Sequence, residues 1–305
     1  MTGSLLWKRI WRHKLFYLFM LPGIVWFFLF SYVPLYGIQV AFRDFQFSGG
    51  FTGSPWAGLK YFHQFFDYYQ SSKLIRNTIL ISAMKLCIGF VMPILLAILL
   101  NEVRNVKFKK TVQTLSYLPY FVSWVVVVTL IQRLFAQYGG PVNNALEALG
   151  LVHDPIQFMN NTNWFYQMIL GSDVWKNIGW NSIIYIAAIA GIDPQLYEAA
   201  KIDGAGRYKQ IWHITLPGIR NIAVILFILA TGSLMSAGYE QLLLLNGPAT
   251  AAIGSVLDVH VINAGINEGR LSYAAAVGLF QSIIALILIL TVNKVARKVS
   301  DVSLF

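Results

Sequence analysis

Six stretches of the chain are apolar with few interruptions, near residues 15–36, 77–100, 112–135, 168–191, 219–244 and 274–293. At about 1.5 Å per helical residue each can cross roughly 30 Å of hydrocarbon, so the pattern predicts an all-α membrane protein with six transmembrane helices. The fourth run is the most dilute. Asp173, Lys176, Asn177 and Asn181 interrupt it, while Trp175 and the run from Ile178 to Ile192 keep an apolar face. The first run is too long for a signal peptide and has no obvious small-residue cleavage site, so it reads as a retained span. Residues 41–72 and 137–164 form two longer connections on one side. Trp56 to Phe62 in the first reads as a short amphipathic segment at the interface, and Gly139-Gly140-Pro141 and Asp154-Pro155 in the second are turn signals.

On the other side, between the fourth and fifth runs, lies a polar loop over 192–217. Asp193 is a suitable N-cap and Pro194 a suitable first helical residue, followed by a strong helical run from Leu196 to Ile202. Gly204 and Gly206 interrupt that helix. Ile211, Trp212 and Ile214 give a second short helix an apolar face, and Pro217 is expected to end the unit.

The charges orient these elements. Only 12% of the 305 residues are charged, about half the roughly 25% usual in soluble domains, yet the net charge is +10. The excess lies in four segments: Lys8, Arg9, Arg12 and Lys14; Arg104, Lys107, Lys109 and Lys110; Lys201, Arg207, Lys209 and Arg220; and Lys294, Arg297 and Lys298. Residues 137–165 contain no Lys or Arg. The positive-inside rule therefore places both termini and the 192–217 loop in the cytoplasm. This asymmetry accounts for the basic charge without nucleic acid, for which a folded basic surface with interleaved aromatics would be needed.

Within the polar loop, Glu198-Ala199-Ala200, Asp203-Gly204-Ala205 and Leu216-Pro217 stand in one pattern between two spans. It resembles the EAA loop of permease subunits in binding-protein-dependent type I ABC importers. Arg76-Asn77-Thr78, the stretch Ala97 to Arg104, the stretch Tyr117 to Trp124 and the stretch Gly238 to Pro248 extend the resemblance over about residues 10–298. They are most similar to the carbohydrate branch, the LplB-like polysaccharide and oligosaccharide permeases. Asn246-Gly247-Pro248 departs from that branch's usual Asn-Pro or Gly-Gly-Pro. The resemblance implies one MetI-like permease domain over 1–305, multi-pass in a bacterial cell membrane. It implies that Glu198, Ala199, Ala200, Asp203, Gly204, Ala205, Leu216 and Pro217 couple to a partner ATPase. It further implies a second permease subunit, most often a different chain, two cytoplasmic ATPase subunits that bind ATP and Mg, and an extracytoplasmic solute-binding lipoprotein.

The chain offers no chemistry of its own to set against this. It contains no Gly-Lys pair and so no phosphate-cradling loop. His13, His63, His153, His213 and His260 are scattered without metal-ligand spacing, and Cys87 stands alone in the second run. No cofactor, metal or catalytic residue is therefore expected on this chain. Ser82 and Lys85 share a helical face, a weak match to a Ser–Lys nucleophile. The charged residues inside spans, Lys85, Glu240, Asp173 and Lys176, must face protein or water, since a charge at the bilayer centre costs roughly 2.5–3.5 kcal/mol. Tyr239, Glu240 and Gln241 offer a flat aromatic face and planar polar groups suited to a sugar, and the resemblance places this part of the span on the solute pathway. With Lys85 they form the candidate substrate pathway; helix packing with an interfacial tyrosine is the competing reading. The function expected is ATP-driven carbohydrate import. The alternative is a secondary transporter driven by an ion gradient, which usually carries repeated halves and broken helices; neither is evident in the pattern.

Overall fold

A chain this apolar must satisfy its backbone polar groups segment by segment, and helices do so without help from neighbours. The computed structural model describes residues 11–159 and 161–300, which leaves Lys8 and Arg9 outside the described residues. Among those described no strand forms beyond an isolated bridge between Arg43 and Trp56.

Helix α1 (Lys14–Phe27) continues through a π turn and a 3-10 stretch to Phe42, and none of its own residues is buried. A short helix, α2 (Lys60–Phe66), follows where an interfacial segment was expected. Helix α3 (Ser71–Glu102) is 32 residues long and contains Pro93. Asn105 then caps α4 (Val106–Tyr117), its side chain accepting from the amides of Lys107 and Phe108.

The third apolar run is not one helix. After α4 the chain passes through a 3-10 turn, Leu118–Phe121, and restarts at α5 (Trp124–Leu134), the two parts bent by 105°. Pro119 opens the 3-10 turn, Val122 is extended, and the Ser123 hydroxyl accepts from the Val126 amide as a new N-cap. Helix α6 (Pro141–Ala148) lies in the following connection.

Helix α7 (Thr162–Ala190) has 29 residues, long enough to span a bilayer although its charges make it more polar than the others. It makes its most extensive contact with α3. Against α4 it packs backbone to backbone: a β-carbon on Gly179 would sit 2.0 Å from the Ser116 carbonyl oxygen. The loop after it forms α8 (Pro194–Ile202). Helix α9 (Arg207–Gln210) runs through a π turn, Ile211–Thr215, directly into α10 (Leu216–Thr231) and a 3-10 turn, Gly232–Met235. Pro217 therefore does not end the unit. It occupies the first turn of α10, where the preceding wide π turn accommodates a residue without an N–H.

The fifth run also breaks, at Ser236–Gly238, before α11 (Tyr239–Leu245). Helix α12 (Leu257–Ile262) and the 30-residue α13 (Leu271–Ser300) complete the order. Among the described residues, length and apolarity mark four helical stretches as able to cross a membrane, Lys14–Phe42, Ser71–Glu102, Arg207–Met235 and Leu271–Lys298, or five if the bent pair α4–α5 counts as one. Two spans are thus broken where the sequence pattern showed continuous runs.

The chain falls into two units, Met1–Phe65 with Ala264–Leu279, and Phe66–Asn263 with Phe280–Phe305. In the first, Phe42 stacks between Trp56 and Phe62, and the Ser272 hydroxyl accepts from the Phe45 amide. Tyr61 donates to Asp44 at 2.5 Å, and Lys60 pairs with the same carboxylate at 3.3 Å. In the second unit one apolar cluster gathers Ile81, Val128, Phe165, Ile169, Leu242 and Val256, and another Ala97, Ile98, Tyr185, Ile189 and Ile219.

Candidate functional site

The 192–217 loop is built by two helix-end devices. Asp193 accepts from the Gln195 amide at 2.9 Å and Pro194 supplies the first helical residue, so α8 starts where its sequence signals place it. At the other end Gly204 adopts φ +73°, with its amide on the Lys201 carbonyl at 3.1 Å and the Ala205 amide on the Ala200 carbonyl at 2.8 Å. These two bonds are a Schellman termination, which needs a left-handed residue at this place. A β-carbon on Gly204 would meet no heavy atom within 4 Å. Its role in this chain is conformational, not steric.

Gln210 donates to the Ala205 carbonyl at 2.7 Å, and the hydroxyls of Tyr197 and Thr215 are hydrogen-bonded at 2.9 Å, which ties α8 to the helix that follows. Arg207 lies 3.9 Å from Glu102 at the end of α3. Glu198, Asp203 and Ala199 are exposed, Ala200 and Ala205 half-buried, and Leu216 and Pro217 lie where α10 begins. The loop also projects large apolar side chains, with Ile202 87%, Tyr208 90% and Trp212 70% exposed.

The second feature is a cavity of about 480 Å³ in the unit Phe66–Asn263 with Phe280–Phe305. Its polar lining comes from Ser82 and Lys85 on α3, Asp173 and Asn181 on α7, and Ser233, Ser236 and Gly238 near the break in the fifth run. Ser82 is 4% exposed and its hydroxyl has no partner in the protein. Lys85 donates to the Ala237 carbonyl at 2.7 Å and to Gln241 Oε1 at 2.5 Å, and lies 3.7 Å from Asp173 Oδ1. Gln241 is buried and spends its amide on the Ile169 carbonyl and the Ser172 hydroxyl at 2.8 and 2.7 Å.

Of the four pathway residues expected from sequence, Lys85 lines the cavity and Gln241 lies beside it as a partner of Lys85. Tyr239 and Glu240 are exposed, bonded to each other at 3.3 Å, and do not line it. Asp258 was not expected. It accepts from Ser236, Ala237 and Gly238 at 3.0, 2.8 and 3.3 Å. Its one signal in the sequence is an acidic residue isolated in the apolar stretch 242–267.

The charges that dilute the fourth run have partners on neighbouring elements. Lys176 is buried and donates to the Tyr120 carbonyl at 2.8 Å and to those of Pro119 and Val122, between the rings of Tyr120 and Trp124. Three residues earlier, Asp173 faces Lys85. Helix α7 thus sends Lys176 to the break in the third run and Asp173 to Lys85, which itself bonds the Ala237 carbonyl at the break in the fifth. Among the described residues no cluster of His, Cys, Asp or Glu has the arrangement of a metal site.

Comparison with known proteins gives a consistent set of relatives. The profile of a family described as binding-protein-dependent transport system inner membrane component matches residues 89–301. The chain is 43% identical over 297 residues to the polygalacturonan/rhamnogalacturonan transport system permease protein YteP of Bacillus subtilis (strain 168), across 97% of this chain and 92% of that one. It is 39% identical over 294 residues to protein LplB of the same organism, across 96% and 92%. Among solved structures it is similar to a chain of a bacterial ABC transporter involved in the import of the acidic polysaccharide alginate, with TM-score 0.88, 37% identity and coverage of 97% and 99%. A second structure of a bacterial alginate ABC transporter, in complex with an alginate pentasaccharide-bound periplasmic protein, matches at TM-score 0.88 and 36% identity, across 98% and 99%.

Proposed function

Since the chain belongs to the family of binding-protein-dependent transport system inner membrane components, we propose that it is the six-span permease subunit of an ATP-driven bacterial importer for oligosaccharides derived from a polysaccharide. The observation that carries this reading is full-length similarity to polysaccharide permeases combined with an EAA-like loop built as a rigid, capped helix. In this reading α7 and the bent pair α4–α5 are spans alongside the four longer apolar stretches, and both termini and the 192–217 loop are cytoplasmic.

Glu198, Ala199, Ala200, Asp203, Gly204 and Ala205 dock the loop into a partner ATPase, while Leu216 and Pro217 join it to the fifth span. The exposed Ile202, Tyr208 and Trp212 supply apolar contact area for the same partner. A short rigid helix transmits a rigid-body movement where a flexible loop would absorb it. ATP and Mg belong to that ATPase, present in two copies. A second permease chain completes the solute path, and an extracytoplasmic binding lipoprotein delivers the solute. The cavity beside Lys85 and Gln241 is this chain's share of the path, with Tyr239 and Glu240 at its margin. Its hydroxyl and amide lining suits a hydroxyl-rich solute.

Mild-detergent purification from native membranes, followed by reconstitution, tests the proposal. Recovery of an ATPase and a second permease is expected, with ATP-dependent uptake of polygalacturonan, rhamnogalacturonan or alginate fragments. Glu198→Lys is expected to leave membrane insertion intact and reduce uptake per ATP hydrolysed. A chain that purifies alone and moves solute without ATP would establish an ion-driven carrier instead.

A further inference from the structure

Backbone that leaves a helix at membrane depth must have its freed polar groups paired by other parts of the protein. Ser236, Ala237 and Gly238 form such a break, with Gly238 at φ +86°. Two charged side chains from different helices meet it. Lys85 of α3 donates to the Ala237 carbonyl at 2.7 Å. Asp258 of α12 accepts the Ala237 and Gly238 amides and the Ser236 hydroxyl with Oδ2, at 2.8, 3.3 and 3.0 Å. Its Oδ1 accepts from Gln281 of α13 at 3.0 Å, and Gln281 also donates to the Met235 carbonyl at 2.9 Å. Ala237 is therefore held at both its N–H and its C=O by opposite charges.

Refolding the break into helix would return these groups to their own helix and strand the two charges. Lys85 is largely buried, its side chain 14% exposed, and a buried charge that loses its partner is strongly unfavourable. Nor is its ammonium free to serve a solute. It has three donors, and three protein oxygens surround it, on Ala237, Gln241 and Asp173.

We infer that Lys85 and Asp258 are positioning residues that hold Ser236–Gly238 permanently unwound as a preformed wall of the cavity. The solute meets a fixed surface, not a segment that winds and unwinds with each transport cycle. The consequence for transport rests on the cavity being part of the solute path; the clamp itself does not.

Hydrogen exchange on the intact importer in lipid nanodiscs, followed on peptides spanning Ser233–Leu245, reads the clamp directly. Replacing Asp258 by Asn puts an amide N–H where an acceptor is needed, and Lys85→Met removes the donor. Both are expected to change exchange of the Ala237 and Gly238 amides about tenfold or more, slower where the released break winds into helix and faster where it stays open without its acceptor, with Lys85→Arg returning it toward the wild-type rate. In reconstituted uptake both variants are expected to raise KM by a larger factor than they lower Vmax. Should Lys85→Met fail to assemble, Asp258→Asn, which changes almost no volume, carries both readouts. Unchanged exchange in the assembled variants would overturn the clamp, and altered exchange at wild-type KM would overturn its role in transport. A wild-type importer that takes up no polysaccharide fragment would refute the proposed substrate class, and exchange would still decide the clamp.

Discussion

The strongest test of the coupling loop is a substitution series at Gly204. This residue sits at φ +73°, and a β-carbon there would meet nothing within 4 Å. Any loss on substitution within this chain thus comes from backbone conformation and not from a clash. The left-handed conformation costs an ordinary L-residue roughly 1–2 kcal/mol, less for Asn and more for a β-branched side chain. Such a cost weakens the two bonds that end α8 and shifts the balance between a closed and a frayed helix end by a factor of about 5 to 30. If the loop couples as proposed, that end must stay closed, so uptake per ATP hydrolysed in proteoliposomes should fall in the order Gly, Asn, Ala, Val. The Ala variant is expected to lose at most about 5- to 30-fold, the full factor being approached only where the frayed end already dominates. An Asn variant as impaired as Val would refute the conformational argument and point to packing against the ATPase. Wild-type coupling in the Val variant would remove the helix end from the mechanism.

Three further outcomes are expected. Gly179→Ala places a β-carbon 2.0 Å from the Ser116 carbonyl oxygen, with backbone on both sides, and should cost about 1–3 kcal/mol, seen as a lower melting temperature in detergent; an unchanged melt refutes the close α4–α7 contact. Lys176→Met leaves the carbonyls at the third-span break without their donor and should destabilise by about 1–3 kcal/mol, with Lys176→Arg milder; equal melting of Met variant and wild type would show that the lysine is not needed there. The Asp44 carboxylate is held below its usual range by the Tyr61 hydroxyl first and Lys60 second, so its contacts are fully formed above the usual carboxylate pKa of about 3.9 and are lost as pH falls through the lower folded value. Proteolysis of the segment between α1 and α2 should therefore be constant from neutral pH to about pH 5 and rise only below about pH 4; a rise near pH 6 would assign the transition to another group.

The parts of this molecule legible in its sequence are those whose signals are local. Asp193, Pro194 and Gly204 bound α8 because a cap, a proline and a left-handed glycine act within a few residues of themselves. Pro217 misleads for the opposite reason, since whether proline ends a helix depends on the turn before it, and a π turn lets this helix continue. The breaks in the third and fifth runs are invisible to hydropathy, which averages over the residues that make them. Pro119 with Ser123, and Ser236 with Gly238, were the available cues. Asp258, Gln281 and Lys176 acquire meaning only from backbone groups 20 to 57 residues away, which no local pattern encodes. The polarity that made the fourth run look doubtful is the same polarity that completes its neighbours.

The helical stretch Arg207–Met235 has 29 residues, about 43 Å of uninterrupted helix. Left-handed glycines, Gly204 and Gly238, stand just beyond its two ends. It behaves as a connecting rod with a sharp elbow at the loop and a bolted fitting at the cavity wall. A tilt of about 5° about one end carries the other through about 4 Å, more than the roughly 2.8 Å of a hydroxyl hydrogen bond. In the proposed importer, motion imposed on the loop would then need no relay of side chains to reach the cavity wall: leverage along a single element would deliver it.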